Sequence, residues 1–296
     1  MRAYSLGGTA PLKIKVSVPR LTPLYSACTI IPSRETGGRR SNSPRPGAVI
    51  QKARESEGMA EVVSGQLLRN AALSIATLAL AGWMLAWVLC AALGLETRYL
   101  YLTAALLGAG SLLLLWRVQA YHPFESFGPA NLVTVARGVL TTLLAGLIGM
   151  GQEPVLESLV FGMAVPAAIL DGVDGRLARR SGMSSAYGAR FDMECDALLI
   201  LVLSILVLQF GKAGAWILTA GLIRYAFVAA GWIWPRLRAA LPASMRRKWV
   251  AALQATALVV AVAPWMPAAV AQGICAVALA ALLGSFIIDT VWLWRR

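Results

Sequence analysis

From residue 70 onward, apolar residues recur in runs of about 18 or more, the length an α-helix needs to cross about 30 Å of hydrocarbon. Runs of that length joined by short polar segments lead to a bundle of membrane-crossing helices, because a helix satisfies its backbone hydrogen bonds internally where no water is present. Composition agrees. The 296 residues are 58% hydrophobic and 14% charged, whereas soluble domains carry about 25% charged residues. The fold class read from these runs is an all-α, polytopic membrane protein.

Eight spans are expected, over residues 71–92, 99–116, 132–150, 155–174, 188–210, 213–232, 249–263 and 268–293. Their joints carry helix-breaking punctuation: Gly94 and Glu96, Pro123 and Pro129, Gly151 to Pro154, Gly211, Pro235 with Pro242, and Pro264 with Pro267. Residues 1–58 differ, being rich in Pro, Gly, Ser, Thr and Arg, with no sustained apolar period. They are expected to be a disordered basic tail. Arg39-Arg40 lacks the closely following apolar stretch of a twin-arginine export signal. The sequence turns protein-like at Met59, an expected alternative start. The domains are therefore 1–58, the tail; 59–128, two additional transmembrane helices; and 129–296, a six-helix catalytic membrane domain.

Net charge is +13, from 27 Lys and Arg against 14 Asp and Glu. In a membrane protein such an excess collects in cytoplasmic joints. With eight spans, Arg69, Arg117, Arg176, Arg179, Arg180, Arg236, Arg238, Arg246, Arg247, Lys248, Arg295 and Arg296 fall on one side, and only Arg98 and Lys212 on the other. Both termini are thus expected in the cytoplasm of a protein of the cell (inner) membrane. The basic residues lack the aromatic interleaving and zinc or RNP-type spacing of a nucleic-acid module, so no nucleic acid is expected. Arg246, Arg247 and Lys248 suit contact with anionic membrane lipids. Cys28, Cys90, Cys195 and Cys275 have neither disulfide nor zinc spacing and read as small packing residues. Trp116, Trp232, Trp234 and Trp294, at span ends, fit an interfacial belt. His122 is expected in an interfacial loop.

Acidic residues near a membrane mark function. The chain has five Asp, four of them in DGVDGRLARRSGMSSAYGARFDMECD at the facing ends of the fourth and fifth spans. Asp171 and Asp174 are i, i+3 and Asp192 and Asp196 are i, i+4, so each pair shares a helix face. Four carboxylates at close range either bind cations or take up protons. All-oxygen ligation suits Mg²⁺ or Mn²⁺. Gly172, Gly175 and Ala178 allow close approach, and Arg179 and Arg180 complement phosphate. Together these describe a phosphoryl-transfer site. A purely structural network of the aspartates with Arg176, Arg179, Arg180 and Arg190 is the competing reading, disfavoured because buried ion pairs seldom add stability.

Asp171, Asp174, Gly175, Ala178, Arg179, Gly188, Asp192 and Asp196 match D-x2-D-G-x2-A-R-x8-G-x3-D-x3-D at every position and gap. This pattern resembles the signature of the CDP-alcohol phosphatidyltransferases. Asn131, Thr134 and Arg137 resemble the family's N-x2-T-x2-R element. The resemblance covers residues from about 129 to 294, and implies that the last six spans form the family's bundle.

It also implies transfer of a phosphatidyl group from a CDP-linked lipid such as CDP-diacylglycerol to an alcohol acceptor, with release of CMP, in phospholipid biosynthesis. By position, Asp171, Asp174, Asp192 and Asp196 would hold two divalent ions, Mg²⁺ or Mn²⁺, with Asp196 also the general base. Asn131, Thr134, Arg137, Gly175, Ala178, Arg179 and Gly188 would line the CDP pocket. Family habit further implies a homodimer. Arg224, a costly residue inside a span, and Lys248 are candidate acceptor contacts. The glycerophosphate-using members' G-K-x-K-T-x2-Q-like element survives here only as Lys248 and Gln254, which argues against glycerol 3-phosphate. Two other function classes remain open at this point: a cation-coupled transporter using the Asp cluster, and an intramembrane prenyltransferase acting on a prenyl diphosphate. The transporter would not need the Gly, Ala and Arg in register. The prenyltransferase pattern sets its two Asp-rich motifs on well-separated helices.

Overall fold

In the computed structural model the chain is helical throughout its described residues, with no strand among them. These are residues 46–121, 128–181, 186–239, 241–242 and 244–295; side chains are described within them except at 46–67, 118–121, 174–176, 178–181, 186–187 and 238. Eight helices follow in order: α1 Pro46–Leu93, α2 Thr97–Tyr121, α3 Pro129–Gly146, α4 Pro154–Ser181, α5 Ala186–Gln209, α6 Leu218–Ile233, α7 Met245–Ala261 and α8 Ala268–Trp294. Residues from Ile50 onward form one compact unit.

Each expected span coincides with a helix, and the expected Gly and Pro punctuation within the described residues falls in or beside the joints. Pro123 and His122 lie outside the described residues. Five helical segments are long and apolar enough to cross a membrane: Leu68–Leu93, Thr97–Arg117, Pro154–Val173, Ala215–Ile233 and Ala268–Trp294. The other three, α3, α5 and α7, are short or polar for a reason. α3 carries Asn131, Thr134 and Arg137, α5 carries Arg190, Asp192, Glu194 and Asp196 in its first half, and α7 has only 17 residues and opens with Arg246, Arg247 and Lys248. One boundary differs from expectation. α1 starts at Pro46, so residues 46–58, expected to be disordered, have helical backbone. Gln51, Lys52, Ala53, Arg54 and Glu55 are good helix formers, a local preference that the low apolar content of the segment concealed.

Turn chemistry sets the joints that orient the later helices. Gly128 has φ 74°, a left-handed conformation open to glycine at little cost, and Pro129 begins α3 with a pre-set helical φ. α5 ends on Gly211 (φ 64°), where Lys212 N–H donates to Val207 O and Gly211 N–H to Leu208 O, the paired bonds of a Schellman cap. Beyond that cap Lys212, almost buried, pairs with Glu157 of α4 at 3.0 Å and donates to Met266 O. The Gln209 amide accepts from Gly149 N–H and donates to Gly151 O, tying the α3–α4 turn to the end of α5. This end of the bundle is stitched shut by polar contacts.

Leu143 and Leu144 of α3 with Leu147 just beyond it, Val160, Ala164 and Ala167 of α4, Leu203 and Leu206 of α5, Leu258 of α7 and Cys275 of α8 belong to the core. A smaller cluster joins Ala71 and Ile75 of α1 to Val135 of α3. Outward faces carry exposed Leu, Ile, Val and Trp, including the expected belt residues Trp116, Trp232, Trp234 and Trp294. Apolar side chains turned outward are stable against lipid, so helix association here rests on close packing rather than on hydrophobic burial. Glycines permit it. A Cβ added at Gly146 would lie 2.6 Å from Thr103 Cγ2, and one at Gly221 would lie 2.5 Å from the Cα of Leu201. Cys90, Cys195 and Cys275 are unbridged, the last two buried.

The Gly221 contact makes a direct prediction. Gly221→Val forces α6 away from the α5 backbone and is expected to cost about 1–3 kcal/mol, seen as a lower thermal unfolding midpoint in detergent. Gly273→Ala, where nothing lies within 4 Å of the new Cβ, should leave the midpoint unchanged or raise it; equal effects of the two would remove close α5–α6 packing as a stabilising contact.

Candidate functional site

At the end of the bundle opposite the Gln209 and Lys212 contacts, α3 and α5 begin and α4 ends. Asp192 and Asp196, one helical turn apart, present their carboxylates on one face of α5. Asp171 comes from the second half of α4. One carboxylate oxygen from each of the three lies within 4.8 Å of the others. No covalent constraint holds these groups together, and like charges at this range repel.

The cation between them comes from α3. Arg137 Nη1 donates to Asp192 at 2.6 Å, and Nη2 contacts Asp171 at 3.0 Å and also pairs with Asp196. The Arg137 side chain is 1% exposed while the three carboxylates are 34–41% exposed. The guanidinium is therefore the floor of the cluster and the carboxylates its rim. Charge-assisted bonds from a planar fork are the strongest type available to the buried side. These exposed carboxylate oxygens, gathered within that range, make an all-oxygen set that fits a divalent cation of the Mg²⁺ or Mn²⁺ type.

Helix α3 reaches the aspartates because its neighbours are small or turned inward. Gly138 lies next to Cys195 of α5. Thr134 is buried and donates to Ala130 O of its own helix. Thr141 likewise donates to Arg137 O. Asn131 is half-buried in the first turn of α3, and Gly188 half-buried at the start of α5. Asp174, Gly175, Ala178 and Arg179 lie on the helical backbone of α4, but their side-chain positions lie outside the described residues, as do those of Arg176 and Arg180.

Further ion pairs occupy other faces. Arg224 of α6 donates to Glu194 at 2.5 Å. Glu194 sits midway between Asp192 and Asp196 in sequence and hence on the opposite face of α5, so Arg224 is paired away from the aspartate rim. At the α7–α8 contact, Asp289 holds Arg246 at 2.5 Å and Arg247 at 3.6 Å, while Lys248 is exposed in the first turn of α7. The fifth aspartate thus anchors the basic start of α7. Sequence reasoning missed the Arg137 contacts with the aspartates, the Glu194 pair and the role of Asp289.

Burial separates these last two pairs, since Asp289 is 13% exposed and Glu194 55%. Glu194→Gln is expected to cost no more than about 1 kcal/mol. Asp289→Asn, which weakens the counter-charge to two arginines, should cost about 1–3 kcal/mol. Thermal unfolding of both variants checks the order; a larger loss for Glu194→Gln contradicts it.

A family model described as CDP-alcohol phosphatidyltransferase matches residues 127–284. That span runs from the joint before α3 to the middle of α8, and includes Arg137 and all four aspartates of the motif. No curated protein and no solved structure gives a significant match to the chain. A match over more than half of the length, carried by a helical membrane bundle with Asp171, Asp192 and Asp196 gathered at one end, makes the assignment plain: the chain belongs to the CDP-alcohol phosphatidyltransferase family.

Proposed function

We propose that this protein transfers a phosphatidyl group from a CDP-diacylglycerol-like lipid to the hydroxyl of an alcohol acceptor and releases CMP, as a step of phospholipid biosynthesis. The observation that carries the reading is the convergence of Asp171, Asp192 and Asp196 from two helices over one buried guanidinium. Family membership supports transfer from a CDP-alcohol over the transporter and prenyltransferase readings.

In this reading Asp171, Asp174, Asp192 and Asp196 hold two divalent ions. When bound, such ions neutralise charge on the donor's pyrophosphate and on the departing CMP. Asp196 takes the proton of the acceptor hydroxyl. The oxygen so freed forms a bond to the lipid-side phosphorus, the bond from that phosphorus to the CMP oxygen breaks, and CMP leaves with the electron pair. Asn131, Thr134, Gly175, Ala178, Arg179 and Gly188 line the CDP pocket; Gly175 and Ala178 admit the nucleotide close to the α4 backbone, and Arg179 complements its phosphate. On the acceptor side Lys248 is the exposed cation, whereas Arg224 already shares its charge with Glu194. Residues 129–296 form the catalytic membrane domain, and 59–128 supply two additional helices.

The asymmetry of Lys and Arg between joints supports a site and two termini facing the cytoplasm. A homodimer in the cell membrane completes the proposal.

Asp196→Asn is expected to lower the turnover of CDP-diacylglycerol by about 10²–10⁴-fold, while binding of the CDP-lipid, followed by protection from thermal unfolding, changes by only a few-fold. Retained turnover removes Asp196 as the base. Chelation with EDTA should abolish CMP release, and Mg²⁺ or Mn²⁺ should restore it; release that persists in EDTA contradicts the metal requirement.

A further inference from the structure

We infer that Arg137 is a positioning residue for the metal-ligating carboxylates rather than a contact for the nucleotide. The inference rests on the metal-dependent reading above and deepens it. Two observations carry it: where the guanidinium sits and what it binds.

Arg137 is 1% exposed beneath carboxylates that are about one-third exposed. A group so placed meets ligand oxygens from below and has almost no surface to offer a nucleotide arriving from the open side. Its two terminal nitrogens engage Oδ1 of Asp171, Asp192 and Asp196. One rigid fork thereby fixes the separation and tilt of ligands delivered by two different helices, as outer hydrogen-bond partners of metal ligands do in general. Repulsion among the three carboxylates, which opposes their gathering, is offset by a charge that cannot be lost, because arginine stays protonated. A lysine could supply that charge but not the fork.

The experiment measures Mn²⁺ binding to the purified full-length protein in detergent, by electron paramagnetic resonance of the free ion, and CMP binding at saturating Mn²⁺, by calorimetry. Arg137→Gln is expected to weaken Mn²⁺ binding about 10–100-fold, with CMP affinity at saturating Mn²⁺ changed less than about twofold. Arg137→Lys should fall between wild type and Arg137→Gln, since charge is kept and geometry lost. If Arg137→Gln does not fold, as judged by thermal unfolding, Arg137→Lys carries the test, with weakened Mn²⁺ binding expected. Unchanged or tighter Mn²⁺ binding in the folded variants overturns the inference: the former makes Arg137 structural only, the latter makes it a competitor of the ion. A loss of CMP affinity with Mn²⁺ binding intact returns it to the nucleotide pocket. Asp192→Asn is the control. Failure of wild type to bind Mn²⁺, or binding insensitive to Asp192→Asn, removes the metal reading itself and the inference with it.

Discussion

A single buried guanidinium, Arg137, holds carboxylates from two other helices at the open end of the bundle. An unpaired charge in a low-dielectric interior is costly, so the buried guanidinium requires the carboxylates that face it. The requirement fixes more than the site. α3 must lie against both α4 and α5 with its third turn level with the second half of α4 and the first half of α5. The core residues of these helices, from Leu143 and Leu147 to Ala164 and Leu203, fill the space below that level. Gly146 and Gly221 then allow α2 and α6 to approach closely around it. At the far end the Gln209 amide and the Lys212–Glu157 pair close the same three helices. Polar contacts at both ends and apolar packing between them define the register.

The two polar ends differ in exposure. Lys212 and Glu157 pair with each other and are almost buried. At the aspartate end the carboxylates of Asp171, Asp192 and Asp196 are open to the outside. Exposed carboxylate oxygens gathered so closely suit a hard divalent cation. In the proposed reading, cations held there would reverse the sign of the field met by an anionic donor. Beneath the same end, the Arg137 floor holds the three carboxylates together.

Much of this was legible in the sequence, and the rest was hidden for identifiable reasons. All eight helices follow from apolar runs and Gly or Pro punctuation, because both signals are local. The shared face of Asp192 and Asp196 follows from i, i+4 spacing for the same reason. Arg137 was legible as part of an N-x2-T-x2-R element, but its partners lie 34 to 59 positions away and depend on how α3 packs, which spacing does not encode. Arg224 illustrates the opposite case. Its place inside a span marked it as costly, yet its partner Glu194 was concealed between two aspartates whose pattern drew the attention, although helix geometry alone sets Glu194 on the other face. Asp289, isolated in sequence, gains meaning only from the α7–α8 contact.

The central claim is that this aspartate end transfers a lipid phosphate out of a CDP-alcohol. The most direct measurement is CMP release by the purified protein from CDP-diacylglycerol with Mg²⁺ or Mn²⁺, offered glycerol 3-phosphate, serine, inositol, inositol phosphate and phosphatidylglycerol in separate reactions. Release stimulated by one of these alcohols, with the matching phospholipid formed in equal amount, is the predicted result. Absence of release with every acceptor, together with no stabilisation by CDP or CMP, would contradict it.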